Sequence, residues 1–163
     1  MKTVNVITKF GIKTVNVITK FGINLVNRNK ITTVAASFSR NMRTEIRKGK
    51  KVYFYDNGIR NALIRNFAPT HLRQDTGALW ENLMMSERMK QNALTGNYAN
   101  LYFWRTHDKQ KIDLIEERDG QLHCYEFKYN PRRSSALPAS FANSYGDAEY
   151  TVITTGNYKD FVE

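Results

Sequence analysis

Residues 111–129 read KIDLIEERDGQLHCYEFKY and contain two β-strand patterns joined by Asp119-Gly120. An Asp-Gly pair between two strand patterns is a strong signal for a two-residue β-hairpin turn. Pairing then runs outward from residue 118 opposite residue 121, which places Asp113 opposite Glu126. Opposite residues of an antiparallel pair point to the same face of the sheet. That face is therefore predicted to carry Asp113, Ile115, Leu122, Cys124, Glu126 and Lys128.

The facing carboxylates of Asp113 and Glu126 repel each other unless something offsets their charge. A shared proton, the ammonium of Lys128 or a bound divalent cation would each do so. Mg²⁺ takes few protein ligands and keeps several waters, and a nearby lysine can orient or activate a water for attack on phosphorus. The pattern indicates a metal-dependent site, with a solvated ion-pair cluster as the alternative. In this register Lys111 falls opposite Lys128. Lys111 then either lies past the end of the strand or pairs diagonally with Glu126.

The sequence around the hairpin predicts an α/β fold with a mixed sheet flanked by helices. Asp75 or Thr76 can cap a long helix over residues 77–94. The remaining core elements are predicted as strands at 99–106, 111–118 and 121–129, a helix near 137–145 and a strand at 148–155. From residue 75 the order is thus helix, three strands, helix, strand.

The segment before this core is predicted to contain a helix from Ala35 to Lys48, a strand at 51–55 and a short helix at 59–67. The chain therefore divides into a basic leader at residues 1–34 and one domain at 35–163. Within that domain, residues 35–74 precede a core at 75–163. One domain is also what 163 residues favour.

The net charge of +10 is concentrated in the first third of the chain. Residues 1–51 hold twelve Lys/Arg and one acid, whereas residues 52–163 hold thirteen Lys/Arg and fourteen acids. A basic leader can neutralise phosphates without reading sequence, although a solvated leader is equally consistent with the charge. Within it, KTVNVITKFGI at 2–12 recurs unchanged at 13–23, which is typical of a recent duplication rather than a repeat fold.

Composition excludes several classes of protein. No run of eighteen apolar residues is present, so no membrane span is expected. The single cysteine, Cys124, cannot form an internal disulfide, and we expect it to be a buried thiol of a cytoplasmic protein. Neither CxxC nor HExxH occurs, so a zinc site has no support.

Four motifs in order resemble one prokaryotic family: KVYFYDNGIRNALI (51–64), TGALWENLMMSER (76–88), YFWRTHDKQKIDLIEERDG (102–120) and YEFKYNP (125–131). It is the C-terminal domain, catalogued as domain of unknown function 4143, of certain AAA-family ATPases. The resemblance covers about residues 35–162. That family is placed in the PD-(D/E)XK, or restriction-endonuclease-like, superfamily, so the resemblance implies an αβββαβ core.

The resemblance also implies roles for particular residues. Asp113 stands at the aspartate of the superfamily's second core strand, and Glu126-Phe127-Lys128 stands at its E-x-K. Gly77 to Glu81 resembles the G-x-x-x-E of the first core helix, whose glutamate often completes the metal site. Ile112 replaces the proline of the superfamily name, a common departure. The implied site holds Mg²⁺ through Asp113, Glu126 and Glu81, with Lys128 activating water.

Other residues have weaker interpretations. Trp104 and Arg105 lie beside the predicted site and are candidates for nucleic-acid contact, although an aromatic residue in a central strand is more often core. Arg132 and Arg133 follow the E-x-K strand and are candidates for phosphate contact or for a solvated loop.

The family's ATPases carry a phosphate-binding loop, G-x-x-x-x-G-K-[ST], and this sequence has none. Neither a nucleotide cofactor nor ATPase activity is therefore expected, and the chain resembles a truncated C-terminal piece of such an ATPase. Three functions remain open. The first is a Mg²⁺-dependent nucleic-acid phosphodiesterase. The second is a catalytically silent module that binds nucleic acid or an ATPase or other protein partner. The third is a nonfunctional remnant.

Overall fold

The computed structural model describes residues 32–39, 49–146 and 148–163. The strands in these ranges are β1 (Thr32–Ser37), β2 (Lys50–Phe54), β3 (Asn100–Arg105), β4 (Lys111–Arg118), β5 (Gln121–Phe127) and β6 (Glu149–Ile153). The helices are α1 (Asn57–Ile64), α2 (Thr76–Thr95), α3 (Ala139–Tyr145) and α4 (Lys159–Val162), with a 3-10 turn at Thr70–Leu72.

The strands form one mixed sheet in the order β2-β1-β3-β4-β5-β6. Strands β1 and β3 are parallel, as are β5 and β6, whereas the other neighbours are antiparallel. From α2 onward the order is helix, three strands, helix, strand. The predicted α/β class, with a mixed sheet flanked by helices, is confirmed.

The β4–β5 hairpin has the predicted register. Its pairs run from Arg118 opposite Gln121 to Leu114 opposite Tyr125. Asp119 and Gly120 have φ angles of 50° and 77°, and two positive φ angles are what a type I′ hairpin turn requires. One further step along this register places residue 113 opposite residue 126.

Strand β4 departs from simple alternation where it pairs with β3. The pairing shifts between Tyr102 opposite Ile115 and Trp104 opposite Ile112, so β4 contributes one more residue than β3 over this interval. As a result Ile112 and Ile115, three positions apart, belong to the same core cluster. The extra residue lies at 113–114, and a β-bulge of this kind re-aims a side chain.

Helices cover the sheet on both faces. The first core cluster, which includes α2 and α4, contains Ala35, Tyr53, Trp80, Met84, Met85, Phe103, Leu114, Phe127, Ile153 and Phe161. The second core cluster, which includes α3, contains Phe38, Trp104, Ile112, Ile115, Cys124 and Phe141. Cys124 is buried as expected, and burial raises the pKa of its thiol to about 12.

The helix predicted from Ala35 is wrong at its start, because residues 35–37 belong to β1. Thr32, Thr33 and Val34 are β-branched, and this strand gains hydrogen-bonded neighbours in both β2 and β3. The predicted division between residues 34 and 35 falls inside this strand. The rest of the predicted helix, at 40–48, and the duplicated leader lie outside the described residues.

A buried ion pair fixes α2 against the sheet and α4. Arg88 donates two hydrogen bonds, of 2.9 and 2.8 Å, to the two oxygens of Glu116. It donates a third, of 2.8 Å, to the carbonyl of Phe161. Asn92 donates a further bond of 2.9 Å to Glu116. Glu116 is fully buried, so its charge depends on these donors.

We expect Arg88→Met to lower the free energy of unfolding by about 3–5 kcal/mol, because it removes the closest cation of a buried carboxylate and leaves it only Arg118, at 3.7 Å. Lys90→Met is the matched control, since Lys90 pairs with Glu87 on the surface of the same helix, and it should cost less than about 0.5 kcal/mol. Chemical denaturation of both variants measures the difference. Equal stabilities would contradict the assigned role of the Arg88–Glu116 pair.

Candidate active site

A single ammonium group contacts both carboxylates of the predicted site. Lys111 Nζ lies 2.8 Å and 3.1 Å from the two oxygens of Asp113, and 3.4 Å from Glu126 Oε1. Asp113 is 0% exposed and Glu126 is 4% exposed. The two acids therefore converge on a point that one small cation can reach, as the hairpin register predicts.

Glu81 joins this group through a second lysine. Lys51 Nζ lies 2.8 Å from Glu81 Oε1 and 3.5 Å from Asp113 Oδ1. Tyr53 donates a 2.7 Å hydrogen bond to the same oxygen of Glu81. Lys51 also lies over the ring of Phe103, in the core layer beneath α2. The β4 bulge allows Asp113 to reach this lysine on the α2 side of the sheet.

Lys128 lies beside Glu126 at the end of β5. Its amide donates a 2.9 Å bond to the carbonyl of Ile153 in β6, which fixes the backbone at this position. Its Nζ is 2.6 Å from Glu126 Oε1, and its side chain remains 30% exposed. Lys128 is thus anchored to the buried acid while part of its side chain faces solvent.

These side chains form what we call the six-charge cluster: Lys51, Glu81, Lys111, Asp113, Glu126 and Lys128. Three carboxylates and three ammonium groups balance one another. Of the predicted site residues, Asp113, Glu126, Lys128 and Glu81 all belong to it. Glu87, by contrast, pairs with Lys90 on the surface of α2, away from the cluster's contacts.

The two central acids have pKa values that move in opposite directions. Burial raises the pKa of Asp113, but Lys51, Lys111 and the Phe127 amide outweigh this effect and hold the pKa below its usual value. Burial and the neighbouring Asp113 charge raise the pKa of Glu126, and Lys128 and Lys111 only partly oppose them. Asp113 is therefore the firmly ionised member, and Glu126 is the one that accepts a proton first.

The carboxylate oxygens of the site are the kind of ligand that a hard divalent cation binds. Glu126 Oε2 is buried and has no hydrogen-bond partner among the described residues, and such an oxygen is costly unless something binds it. Asp113 and Glu126 are the residues that would hold the ion, and two carboxylates suffice for Mg²⁺. Over the described ranges, no three His, Cys, Asp or Glu side chains are grouped closely enough to hold a metal. Lys51 stands between Glu81 and Asp113, so the role of Glu81 as a ligand stays a prediction.

The four residues predicted to contact nucleic acid differ in accessibility. Trp104 is 1% exposed and packs edge-on against Phe141, so its side chain belongs to the core and is not available for base stacking. Arg105, Arg132 and Arg133 are exposed. Arg105 pairs with Lys111 across β3 and β4, next to the six-charge cluster.

Two members of the cluster were not assigned to the site from the sequence. Lys51 opens the KVYFYDNGIRNALI motif, but that motif assigned it no role in the site; it lies two residues before Tyr53, on the same face of β2. Lys111 was expected either to lie past the strand end or to pair diagonally with Glu126; it is the first residue of β4, and the contact with Glu126 is observed. That each of these lysines contacts two carboxylates cannot be inferred from its position in the sequence, because the contacts depend on how distant strands are arranged in the sheet.

A comparison with protein families matches residues 76–162 to the family described as a domain of unknown function (DUF4143). The match covers more than half of the chain, from α2 to the end of α4. The chain belongs to the DUF4143 family. Neither the curated proteins nor the solved structures give a match. No helix in the described part of the chain is long and apolar enough to cross a bilayer.

The DUF4143 match begins at α2, whose first turn is tied to the preceding segment. Asp75 accepts hydrogen bonds of 2.8 and 2.9 Å from Arg73 and of 2.9 Å from Arg60. Arg73 also donates to the carbonyl of Asn66 and to the side chain of Asn61. Asp75 is the N-cap residue of α2 but makes no side-chain cap bond, so its carboxylate instead ties the start of the helix that carries Glu81 to the preceding segment.

Asp75→Asn should lower the Tm by about 5 °C at neutral pH, because it removes a charged acceptor from two arginines. The bonds from Arg73 and then Arg60 hold the pKa of Asp75 well below its usual value. A carboxyl group with a lowered pKa stabilises the fold fully above its unfolded value, near pH 4, and loses that effect as the pH falls further.

The difference in Tm between the wild type and Asp75→Asn should therefore be constant from about pH 5 to 8 and shrink below about pH 4. Thermal melts across this range measure it, with Asp108→Asn in the exposed β3–β4 turn as the control. A difference that grows towards acid would contradict the assignment.

Proposed function

We propose that this DUF4143 domain is a divalent-cation-dependent phosphodiesterase that acts on nucleic acid. The observation that carries the proposal is the convergence of buried Asp113 and Glu126 on one ammonium, with Lys128 anchored alongside and open to solvent. The order of helix and strands around them agrees with the nuclease-like core that the sequence resembles.

Each residue has a distinct chemical task in this proposal. Asp113 stays ionised and would hold the cation, because Lys51, Lys111 and the Phe127 amide favour its charged form. Glu126 would be the second ligand, and its buried Oε2 lacks a partner among the described residues. When bound, Mg²⁺ supplies Lewis-acid stabilisation of charge on the phosphoryl group.

Lys128 orients the attacking water and stabilises negative charge on phosphate oxygens. Its Nζ is held at 2.6 Å by Glu126 Oε1, and part of the side chain faces solvent. A fixed ammonium aimed at developing charge lowers the barrier because no reorganisation is needed during reaction. The exposed Arg105, Arg132 and Arg133 supply further positive charge for the phosphate backbone.

The test is cleavage of single- and double-stranded DNA and RNA by the full chain with Mg²⁺ or Mn²⁺ and with chelator. We expect cation-dependent cleavage that falls at least about 100-fold in Asp113→Ala and in the near-isosteric Asp113→Asn. Asp108→Ala, an exposed acid in the β3–β4 turn, is the matched control and should cleave like the wild type. Circular dichroism confirms that each variant is folded. Equal cleavage by Asp113→Asn and the wild type would end the proposal.

A second candidate function is a catalytically silent module that binds nucleic acid or an ATPase partner. It is favoured by the charge balance of the six-charge cluster, in which Lys51 and Lys111 already neutralise Asp113 without a metal. In that case the cluster stabilises the fold, and the exposed arginines contact phosphates.

Fluorescence anisotropy with labelled DNA and RNA separates the two functions. For the silent module we expect binding without cleavage. In that case Arg132→Ala with Arg133→Ala should weaken the affinity at all sequences and reduce the slope of log K against log salt by about 2. Lys90→Ala with Lys159→Ala removes the same charge from one half-buried and one exposed helix position and is the control. An equal loss of affinity in both double variants would rule out a specific role for the arginines.

A further inference from the structure

Lys111 is the member of the six-charge cluster that the D…E-x-K pattern does not explain. It lies at the first position of β4, two residues before Asp113, and its side chain is 36% exposed. Its Nζ nevertheless contacts both oxygens of Asp113 and one oxygen of Glu126. An ammonium in this position has the two partners that a divalent cation at the same site would take.

We propose that Lys111 is an internal counter-ion that competes with divalent cations for Asp113 and Glu126. This inference rests on the proposed function only in assuming that the site accepts a cation. In the metal-free protein, Lys111 offsets the repulsion between the two buried carboxylates. When a cation binds, the flexible lysine stem carries its ammonium out to solvent.

The contacts of the neighbouring lysines single out Lys111 for this role. Lys128 contacts Glu126 at 2.6 Å, and no contact with Asp113 is seen for it within the described chain. Lys51 reaches Asp113 at 3.5 Å but is held more closely by Glu81, at 2.8 Å. Lys111 alone among them lies within 3.5 Å of both central acids. Its partial exposure gives the ammonium a path out, because a long lysine side chain exchanges readily between a partner and water.

The buried Oε2 of Glu126 is a second observation that points to a ligand. Lys111 and Lys128 both contact Oε1, which leaves Oε2 without a partner among the described residues. Lys111 therefore offsets the negative charge of Asp113 and Glu126 but leaves one carboxylate oxygen without a hydrogen bond. A divalent cation between Asp113 and Glu126 would use the oxygen that the ammonium leaves unbound.

The charge of Lys111 makes a measurable prediction for metal affinity. Replacing Lys111 with Met keeps an unbranched side chain that is one atom shorter and changes the balanced cluster to a net charge of −1. We expect the dissociation constant for Mn²⁺, measured by calorimetry on the full chain, to fall at least about tenfold relative to the wild type. Lys111→Gln should behave similarly, and Lys111→Arg, which keeps the charge, should bind Mn²⁺ as weakly as the wild type.

The control is Lys50→Met, an exposed position on β2 that makes the same change in net charge. It should leave Mn²⁺ affinity within about twofold of the wild type, since an exposed charge away from the ligands is screened. Adding Asp113→Asn to Lys111→Met should abolish the gain. Thermal melting gives an independent measurement, because Mn²⁺ should raise the Tm of Lys111→Met more than that of the wild type at equal concentration.

Unchanged Mn²⁺ affinity in both Lys111→Met and Lys111→Gln would overturn the inference, as would equal gains in Lys50→Met. The absence of Mn²⁺ binding in every variant would overturn it as well. These outcomes are separate from those of the cleavage assay. Tighter binding in Lys111→Met without cleavage of any nucleic acid supports the competing lysine and contradicts the phosphodiesterase. Cleavage by the wild type, together with a Mn²⁺ affinity that does not change when Lys111 is replaced, supports the phosphodiesterase and contradicts the competing lysine.

Discussion

Two carboxylates buried side by side at one end of the β4–β5 hairpin repel each other, and the rest of the site is organised around offsetting that repulsion. The type I′ turn at residues 119–120 sets the register that brings Asp113 and Glu126 together. Burial removes the solvent that would otherwise screen them. Lys111 therefore lies between them, and their pKa values separate, with Asp113 kept ionised and Glu126 the easier to protonate. The hairpin thus supplies two inner strands of the sheet and is the source of the site's electrostatics.

Helix α2 connects this hairpin to the first strands of the sheet. Near its start, Asp75 binds two arginines from the preceding segment. Further along the helix, Glu87 lies on the surface. The next residue, Arg88, donates two hydrogen bonds to the buried Glu116 of β4. Between these two anchor points the helix presents Glu81 to Lys51 of β2. Breaking an ion pair with a buried member is costly, because it leaves that charge without a partner. The bonds that stabilise the domain therefore also hold Glu81 beside the acid pair.

Much of the fold was predictable because its signals are local. The Asp119-Gly120 turn defines the hairpin register, and the strand-type patterns on either side of it predict β4 and β5. The long helix was predicted to within one residue at each end. The errors arise where non-local pairing decides the outcome: residues 35–37 form a strand because β2 and β3 are beside them. Within the site, Asp113, Glu126, Lys128 and Glu81 follow a sequence pattern. Lys51 joins them through sheet pairing across more than sixty residues of chain, a distance that no local signal spans.

The bulge in β4 explains how residues from both faces of the sheet meet. Strict alternation would keep Asp113 on the Cys124 side, in the layer covered by α3, and away from Lys51 and Glu81 under α2. The extra residue at 113–114 breaks this alternation, because Ile112 and Ile115 both pack in the second core cluster. Asp113 can then contact Lys51 on one side and share Lys111 with Glu126 on the other. A single irregularity in one strand, placed beside a regular hairpin register, therefore joins two otherwise separate ion pairs into one cluster. The chemistry of the site therefore depends on the backbone of β4 as much as on its acidic side chains.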